Sequence, residues 1–452
     1  MDTGTVRAQV ADEAAGLRRE QRGWYFYDWA CSVYSTSVLT VFLGPYLTSV
    51  AESAADADGY VHPLGLPVRA GSFFAYSVSL SVIVAVVLMP LVGAAADRGG
   101  RKKPLLGAAA YTGAAATTGM FFLDGDRYLL GGVLLIVANA AQSVASMLYN
   151  SYLPQIAPPE DRDAVSSRGW AFGYAAGSLV LIADLVLYSA HGSFGLSETA
   201  AVRICLASAG LWWGAFTLVP LRRLRDRRGR GEHAAGAAVS PGLRQLAATV
   251  RDMRRHPLTL AFLLAYLVYN DGIQTVITQA SVYGSEELRL GQSTLIVAVL
   301  LVQVLAVAGA LAMGRLARTY GAQRTVLGSL VAWTATLAAG YFLPAKAPVF
   351  FFVLACGIGL VLGGSQALSR SLFSHLVPPG KEAEYFSAYE LSDRGMSWLG
   401  PLLFGVTYQL TGSYRSAIIS LVAFFVIGFA LLVRVPVRRA IEDAGNPVPD
   451  TI

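Results

Sequence analysis

The chain has 452 residues, of which 54% are hydrophobic and 14% charged, with a mean hydropathy of +0.51. Soluble domains carry about 25% charged residues, so an ordinary soluble protein is excluded and several membrane spans are implied. The net charge is +6, with the arginines gathered in a few loops between apolar runs. That pattern orients membrane helices and does not mark a nucleic-acid partner.

Residues 1–22 are polar, with Arg18, Arg19 and Arg22 just ahead of the first apolar run, and are expected to form a cytoplasmic tail. Span one opens at Gly23 and runs to about Val50, too long for a cleaved signal peptide, so it doubles as the insertion signal. It begins with an aromatic belt, Trp24-Tyr25-Phe26-Tyr27-Asp28-Trp29, that holds one carboxylate. Residues 51–69 are turn-rich and acidic, as suits an outside loop. Span two (70–94) leads into the charged turn GAAADRGGRKK at 93–103. Span three (104–123), a short turn at Asp124-Gly125-Asp126 and span four (128–153) follow. Span five starts near Ser167 and carries Asp184 and, four apart, Gly173 and Gly177, small residues that allow close helix approach. Span six ends near Pro220.

Residues 221–256 contain ten arginines, which keep this stretch out of the membrane. Leu243, Leu246, Val250 and Met253 fall on one helical face, so the stretch is either a helix lying on the inner membrane surface or a disordered basic linker. Spans seven (257–283), eight (292–313), nine (325–342), ten (349–376), eleven (386–410) and twelve (414–435) complete the chain before a basic tail with Arg434, Arg438 and Arg439. About twelve spans, an even number, put both ends on one side, and the tail charges place that side in the cytoplasm.

Two internal matches share one offset. Gly93–Lys103 is echoed by Gly314–Arg324 at 221 residues, and Ser151–Pro159 by Ser371–Pro379 at 220. The expected fold is therefore an all-α integral membrane protein with two pseudo-symmetric six-helix bundles, 23–220 and 257–435. The central loop is 221–256 and the tails are 1–22 and 436–452. Two such halves around a midplane cavity are a transporter architecture.

The loop Gly93-x-x-x-Asp97-Arg98-x-Gly100-Arg101-Lys102 resembles the signature loop between spans two and three of the major facilitator superfamily. Its Asp97, Arg98 and Arg101 are expected to latch neighbouring helix ends during gating. In the second copy Arg318 stands where the acid would be. Four further stretches resemble the vacuole-effluxer branch, the autophagy-related permeases and their bacterial relatives. They are Trp24-Tyr-Phe-Tyr-Asp-Trp-Ala, Leu148-Tyr-Asn-Ser-Tyr-Leu-Pro, Arg168-Gly-Trp-Ala-Phe-Gly-Tyr and Tyr269-Asn-Asp-Gly-Ile-Gln. The resemblance implies a small-solute permease of the cell membrane, with amino acids as the expected substrate class.

Ionisable residues within spans cost about 2.5–3.5 kcal/mol on insertion scales and tend to face a cavity or a partner. Asp271 lies 14 residues past Pro257, about 20 Å along its helix and so near the midplane. With Tyr269, Asn270 and Gln274 beside it, Asp271 either binds a proton or a cationic solute group in a central cavity, or pairs with an arginine of another span. Asp28 and Asp184 pose the same choice nearer the span ends. Arg168, Arg370, Glu390, Asp393 and Arg394 share one depth and are read as inner-gate ion pairs or as static pairs. Asn139, Gln142, Asn150 and Gln366 either tie helices together or touch solute. Tyr27, Tyr174 and Tyr269 either line a pocket or pack.

No nucleotide-binding loop of the G-x-x-x-x-G-K-[ST] type occurs, so the energy would come from a proton or solute gradient. The five histidines are scattered, and Cys31, Cys205 and Cys356 sit in apolar runs as small buried hydrophobes. No metal, cofactor or enzymatic activity is expected. An uncoupled facilitator stays open, as does a transport-inactive sensor or assembly partner of the same fold. A monomer in the bilayer is the expected state.

Overall fold

In the computed structural model, which describes residues 3–227, 251–394 and 399–451, each long apolar run is helical. Nine helices among the described residues are long and apolar enough to cross a membrane. Span three (Lys102–Gly119), span nine (Ala322–Tyr341) and span eleven (Glu382–Arg394, then Leu399–Thr411) bring the spans to twelve. They are shorter or more polar than the rest, which is why length and hydropathy alone undercount them. The expected helical face at Leu243, Leu246 and Val250 lies outside the described residues.

Span one differs most from its expectation. Its helix begins at Thr3, inside the polar tail, and continues from Val33 through a π-helical stretch, Tyr34–Phe42, into Leu43–Ser53. There the Leu43 N–H reaches Val38 O, five residues back. The Thr40 hydroxyl likewise donates to Ser35 O at 2.8 Å. A hydroxyl that competes for a backbone carbonyl in this way favours the wider turn. The following loop is ordered by a two-residue antiparallel pair, Tyr60–Val61 with Val68–Arg69.

Large apolar side chains stand exposed along the spans, including Ile83, Val133, Val186, Leu211, Val331 and Val353. In water such a belt would be a liability, whereas lipid solvates it. Between helices the contact relies on small residues. A Cβ on Gly363 would lie 2.1 Å from Ala306 O, and one on Gly309 would lie 2.1 Å from Leu360 O. The helices of spans eight (Gln292–Tyr320) and ten (Pro348–His375) therefore pack backbone to backbone.

The chain divides into two compact units. The first holds the residues up to Tyr149 and those from Ala175 to the central loop, and the second holds Asn150–Tyr174 with everything after that loop. Packing thus cuts differently from the repeat, because the turn joining spans four and five is built into the second unit. The repeat shows in the backbone as well. Gly100 (φ 57°) and Gly321 (φ 88°), 221 residues apart, each turn one charged loop into the next helix. Only glycine takes such φ values without strain.

Candidate functional site

In the first charged loop, Gly93 is buried and Asp97 faces inward, 3.0 Å from the Lys102 ammonium, with both side chains about 5% exposed or less. Asp97 thus pairs with the first residue of the next helix, Lys102–Gly119. The following backbone N–H, that of Lys103, is met by Asp226, whose carboxylate accepts from it at 2.8 Å. An acid placed on the free N–H groups of a helix start is favourable. Arg98 and Arg101 are exposed. In the second copy, Arg318 pairs with Asp161 at 3.5 Å, half-exposed. Gln323, the repeat partner of Lys102, donates to Leu432 O and Val435 O at the end of span twelve.

Within the first unit, two of the family-like stretches meet. The Trp24 indole donates to Tyr149 O at 2.9 Å and its ring stacks on that of Tyr149, with centroids 4.4 Å apart. The Tyr149 hydroxyl donates to the Asp28 carboxylate at 2.6 Å, and Tyr27 packs on the same ring. Asp28 is thus held by a phenol donated from span four. Asn139 donates to Ser81 at 2.6 Å, which ties span four to span two. Asn139 Oδ1 and Gln142 Oε1 are buried with no hydrogen-bond partner among the described residues. Asp184 is buried and accepts from Ser208 of span six at 3.3 Å.

In the second unit the candidates regroup. Asn270 donates to Asp393 at 2.6 Å and accepts from Gln366 at 2.7 Å. Tyr266, one helical turn before Asn270, also donates to Asp393, at 3.1 Å. Tyr269 shares a 2.5 Å hydrogen bond with Ser369. Span seven thus meets Asp393 of span eleven, with Gln366 of span ten joined through Asn270 and the Tyr266 and Tyr389 rings stacked, centroids 4.4 Å apart. Asp271 points elsewhere. It is 2% exposed, and one oxygen accepts from the Gly400 N–H at 2.8 Å, in the first turn of the Leu399–Thr411 helix. Among the described residues its other oxygen has no partner and no cation pairs with it. Gln274 is half-buried.

A second cluster surrounds Arg370, which is 2% exposed. Its guanidinium donates to Ser166 Oγ at 2.9 Å, to Ser166 O at 2.8 Å and to Asn150 at 3.2 Å. It also lies 5.3 Å from the Trp170 ring centroid, a cation–π distance. Asn150 in turn donates to Glu390 at 2.7 Å. The Asn150 amide thus links two of the residues expected at the inner gate, Arg370 and Glu390. Arg168 is exposed and forms no ion pair among the described residues, and Tyr174 packs beside Trp170. Arg394 ends its helix, and its side chain lies outside those described.

Sequence reasoning missed Arg162. It is 5% exposed and donates to Ser374 O at 2.9 Å and to Pro154 O at 3.3 Å, with a nitrogen 3.3 Å from the His375 ring. The available signal was the 220-residue offset, which equates Arg162 with Glu382 as it equates Asn150 with Arg370. Asp226 was missed because it sits among arginines in a loop and looks like a solvated charge.

The architecture is shared with known membrane transporters. A structure of the proton:xylose symporter XylE aligns with a TM-score of 0.69 at 14% identity, covering 93% of this chain and 96% of that one. The transporter FucP in its outward conformation aligns with a TM-score of 0.67 at 13% identity, covering 93% and 98%. The fold is that of the multi-pass membrane proteins of the major facilitator class. The model of the family described as vacuole effluxer Atg22-like matches residues 16–445, and the chain belongs to that family. An uncharacterized MFS-type transporter of Bacillus subtilis, YxiO, is 30% identical over 95% of this chain and 98% of its own length. Autophagy-related protein 22 of Yarrowia lipolytica is 28% identical over 84% of this chain and 78% of its own.

Proposed function

We propose that the protein is a proton-coupled permease for small polar solutes, amino acids first among them. It works by alternating access as a monomer in the cell membrane, with both ends cytoplasmic. The observation that carries this reading is the state of Asp271: a carboxylate within a span, given one backbone donor and no counter-ion among the described residues. One backbone hydrogen bond offsets only part of the insertion cost of such a group, which supports a role in proton uptake and release beside its contact with the helix start. Tyr269, Asn270, Gln366 and Asp393 of the second unit carry donors and acceptors of the kind a zwitterionic solute would use.

The test is solute flux in proteoliposomes under an imposed pH gradient. Accumulation of a labelled amino acid that collapses with a protonophore supports the reading. Flux that equilibrates but ignores the gradient would make the protein an uncoupled facilitator, and no flux for any solute class would leave a transport-inactive membrane partner.

A further inference from the structure

After span twelve the chain does not leave the bundle. Gln323 holds the turn at Leu432 and Val435, and a seven-residue helix, Val437–Asp443, lies back against the second unit. Its Val437, Ala440 and Ile441 are buried while Arg438 and Arg439 are exposed. Asn446 then donates from one amide nitrogen to His375 O at 2.8 Å and to Val377 O at 2.7 Å. His375 is the last residue of the span-ten helix, whose end carbonyls have no helical donor of their own. Further on, the Thr451 hydroxyl reaches Arg318 O at 3.4 Å, and Pro449 and Thr451 share a small cavity with Pro159, Glu160 and Asp163.

One stretch therefore crosses the end of span ten, the loop between spans eight and nine, and the entry to span five. The same helix end is also held by Arg162, through Ser374 O and the His375 ring. The two attachments differ in strength. Arg162 is buried and multiply bonded. The tail rests on a short helix and a few neutral hydrogen bonds, the kind of segment that opens locally long before a bundle unfolds.

We propose that residues 436–451 form a releasable strap. They hold this end of the second unit shut at Arg162 and the end of span ten, and their detachment precedes hydration of that end. Its place in a transport cycle rests on the proposed function, whereas the strap itself does not.

The test uses full-length protein in detergent with Cys31, Cys205 and Cys356 replaced by serine and Ser374→Cys as the reporter. Ser374 is fully buried, so a water-soluble thiol reagent reports opening directly. Asn446→Ala removes both carbonyl contacts, and Ile441→Asp places a charge in the strap's buried face. Asn446→Ala should speed labelling about tenfold or more, the effect of losing roughly two net hydrogen bonds, and Ile441→Asp, which buries a charge, should speed it at least as much. Arg438→Glu, on the exposed face, should leave the rate unchanged. Labelling of the Asn446→Ala protein within about twofold of the intact strap overturns the proposal. Labelling needs no solute, so a rise in rate without flux in any variant would uphold the strap and overturn the transport reading.

Discussion

Arg370 donates to Asn150 across 220 positions of sequence, the same offset that superimposes the two halves of the duplicated chain. The two residues occupy one repeat position and have become each other's partner. Divergence made this possible. Two copies of arginine would repel and two of asparagine would leave Glu390 without a cation nearby, whereas an amide can serve both. Asn150 gives its oxygen to Arg370 and its nitrogen to Glu390.

Asn150→Asp should therefore be destabilising even though it adds a charge beside Arg370. It replaces the amide donor on Glu390 with a second carboxylate in a buried site, at an expected loss of about 3 kcal/mol. Adding Glu390→Gln should restore much of it, because the glutamine amide can donate to the new acid. Thermal unfolding of the single and double variants in detergent checks this, and a double variant no better than the single one would contradict the pairing.

Asp271→Asn keeps an acceptor for the Gly400 N–H and should fold normally. If Asp271 carries the coupling proton, the variant should exchange solute down its gradient while losing accumulation driven by pH. Comparing counterflow with gradient-driven uptake separates the two. Full accumulation by the variant would assign coupling elsewhere.

Glycine substitutions should differ in sign. On Gly363→Ala, a Cβ would lie 2.1 Å from Ala306 O, a backbone atom that cannot swing aside. The expected cost is about 1–3 kcal/mol, read as a lower unfolding temperature or lost monodispersity. Gly405 is exposed and has nothing within 4 Å of a built Cβ, so Gly405→Ala should gain roughly 0.5–1 kcal/mol from helix propensity alone. Equal effects at both sites would argue against close packing of spans eight and ten.

Asp252 lies outside the spans, where it meets the Lys381 ammonium at 2.7 Å and the Tyr385 hydroxyl at 3.1 Å. Burial pushes its carboxyl up, but the hydrogen bond and charge of Lys381, with help from Tyr385 and His256, hold it below the usual carboxylate range. A lowered folded value stabilises at pH above the unfolded value of about 3.9 and loses that contribution as pH falls through the folded one. The difference in unfolding temperature between the parent and Asp252→Asn should be flat above about pH 5 and shrink below about pH 4. A difference that grows on acidification would reverse the assignment.

Much of the fold was legible because the bilayer makes it a local problem. An apolar run of about 20 residues must close its own backbone hydrogen bonds and so becomes helical. The arginine-rich loops, the 220- and 221-residue offsets and the turn glycines Gly100 and Gly321 need no tertiary information either. The Asp97-Arg98 pair and the Tyr269–Gln274 stretch likewise stand out in the sequence as polar residues at or within apolar runs.

Which side chains meet was decided by the tertiary structure. Asn270 and Asp271 are adjacent, yet one reaches Asp393 and the other the Gly400 N–H. Asp97 takes the Lys102 ammonium while Asp226, more than 120 residues later, takes the adjacent Lys103 N–H. Each outcome depends on how far a helix is rotated about its own axis, at about 100° per residue. Hydropathy does not encode that angle where lipid and packed core are both apolar, so the partners emerge only when backbones lock together at contacts such as Gly363 on Ala306.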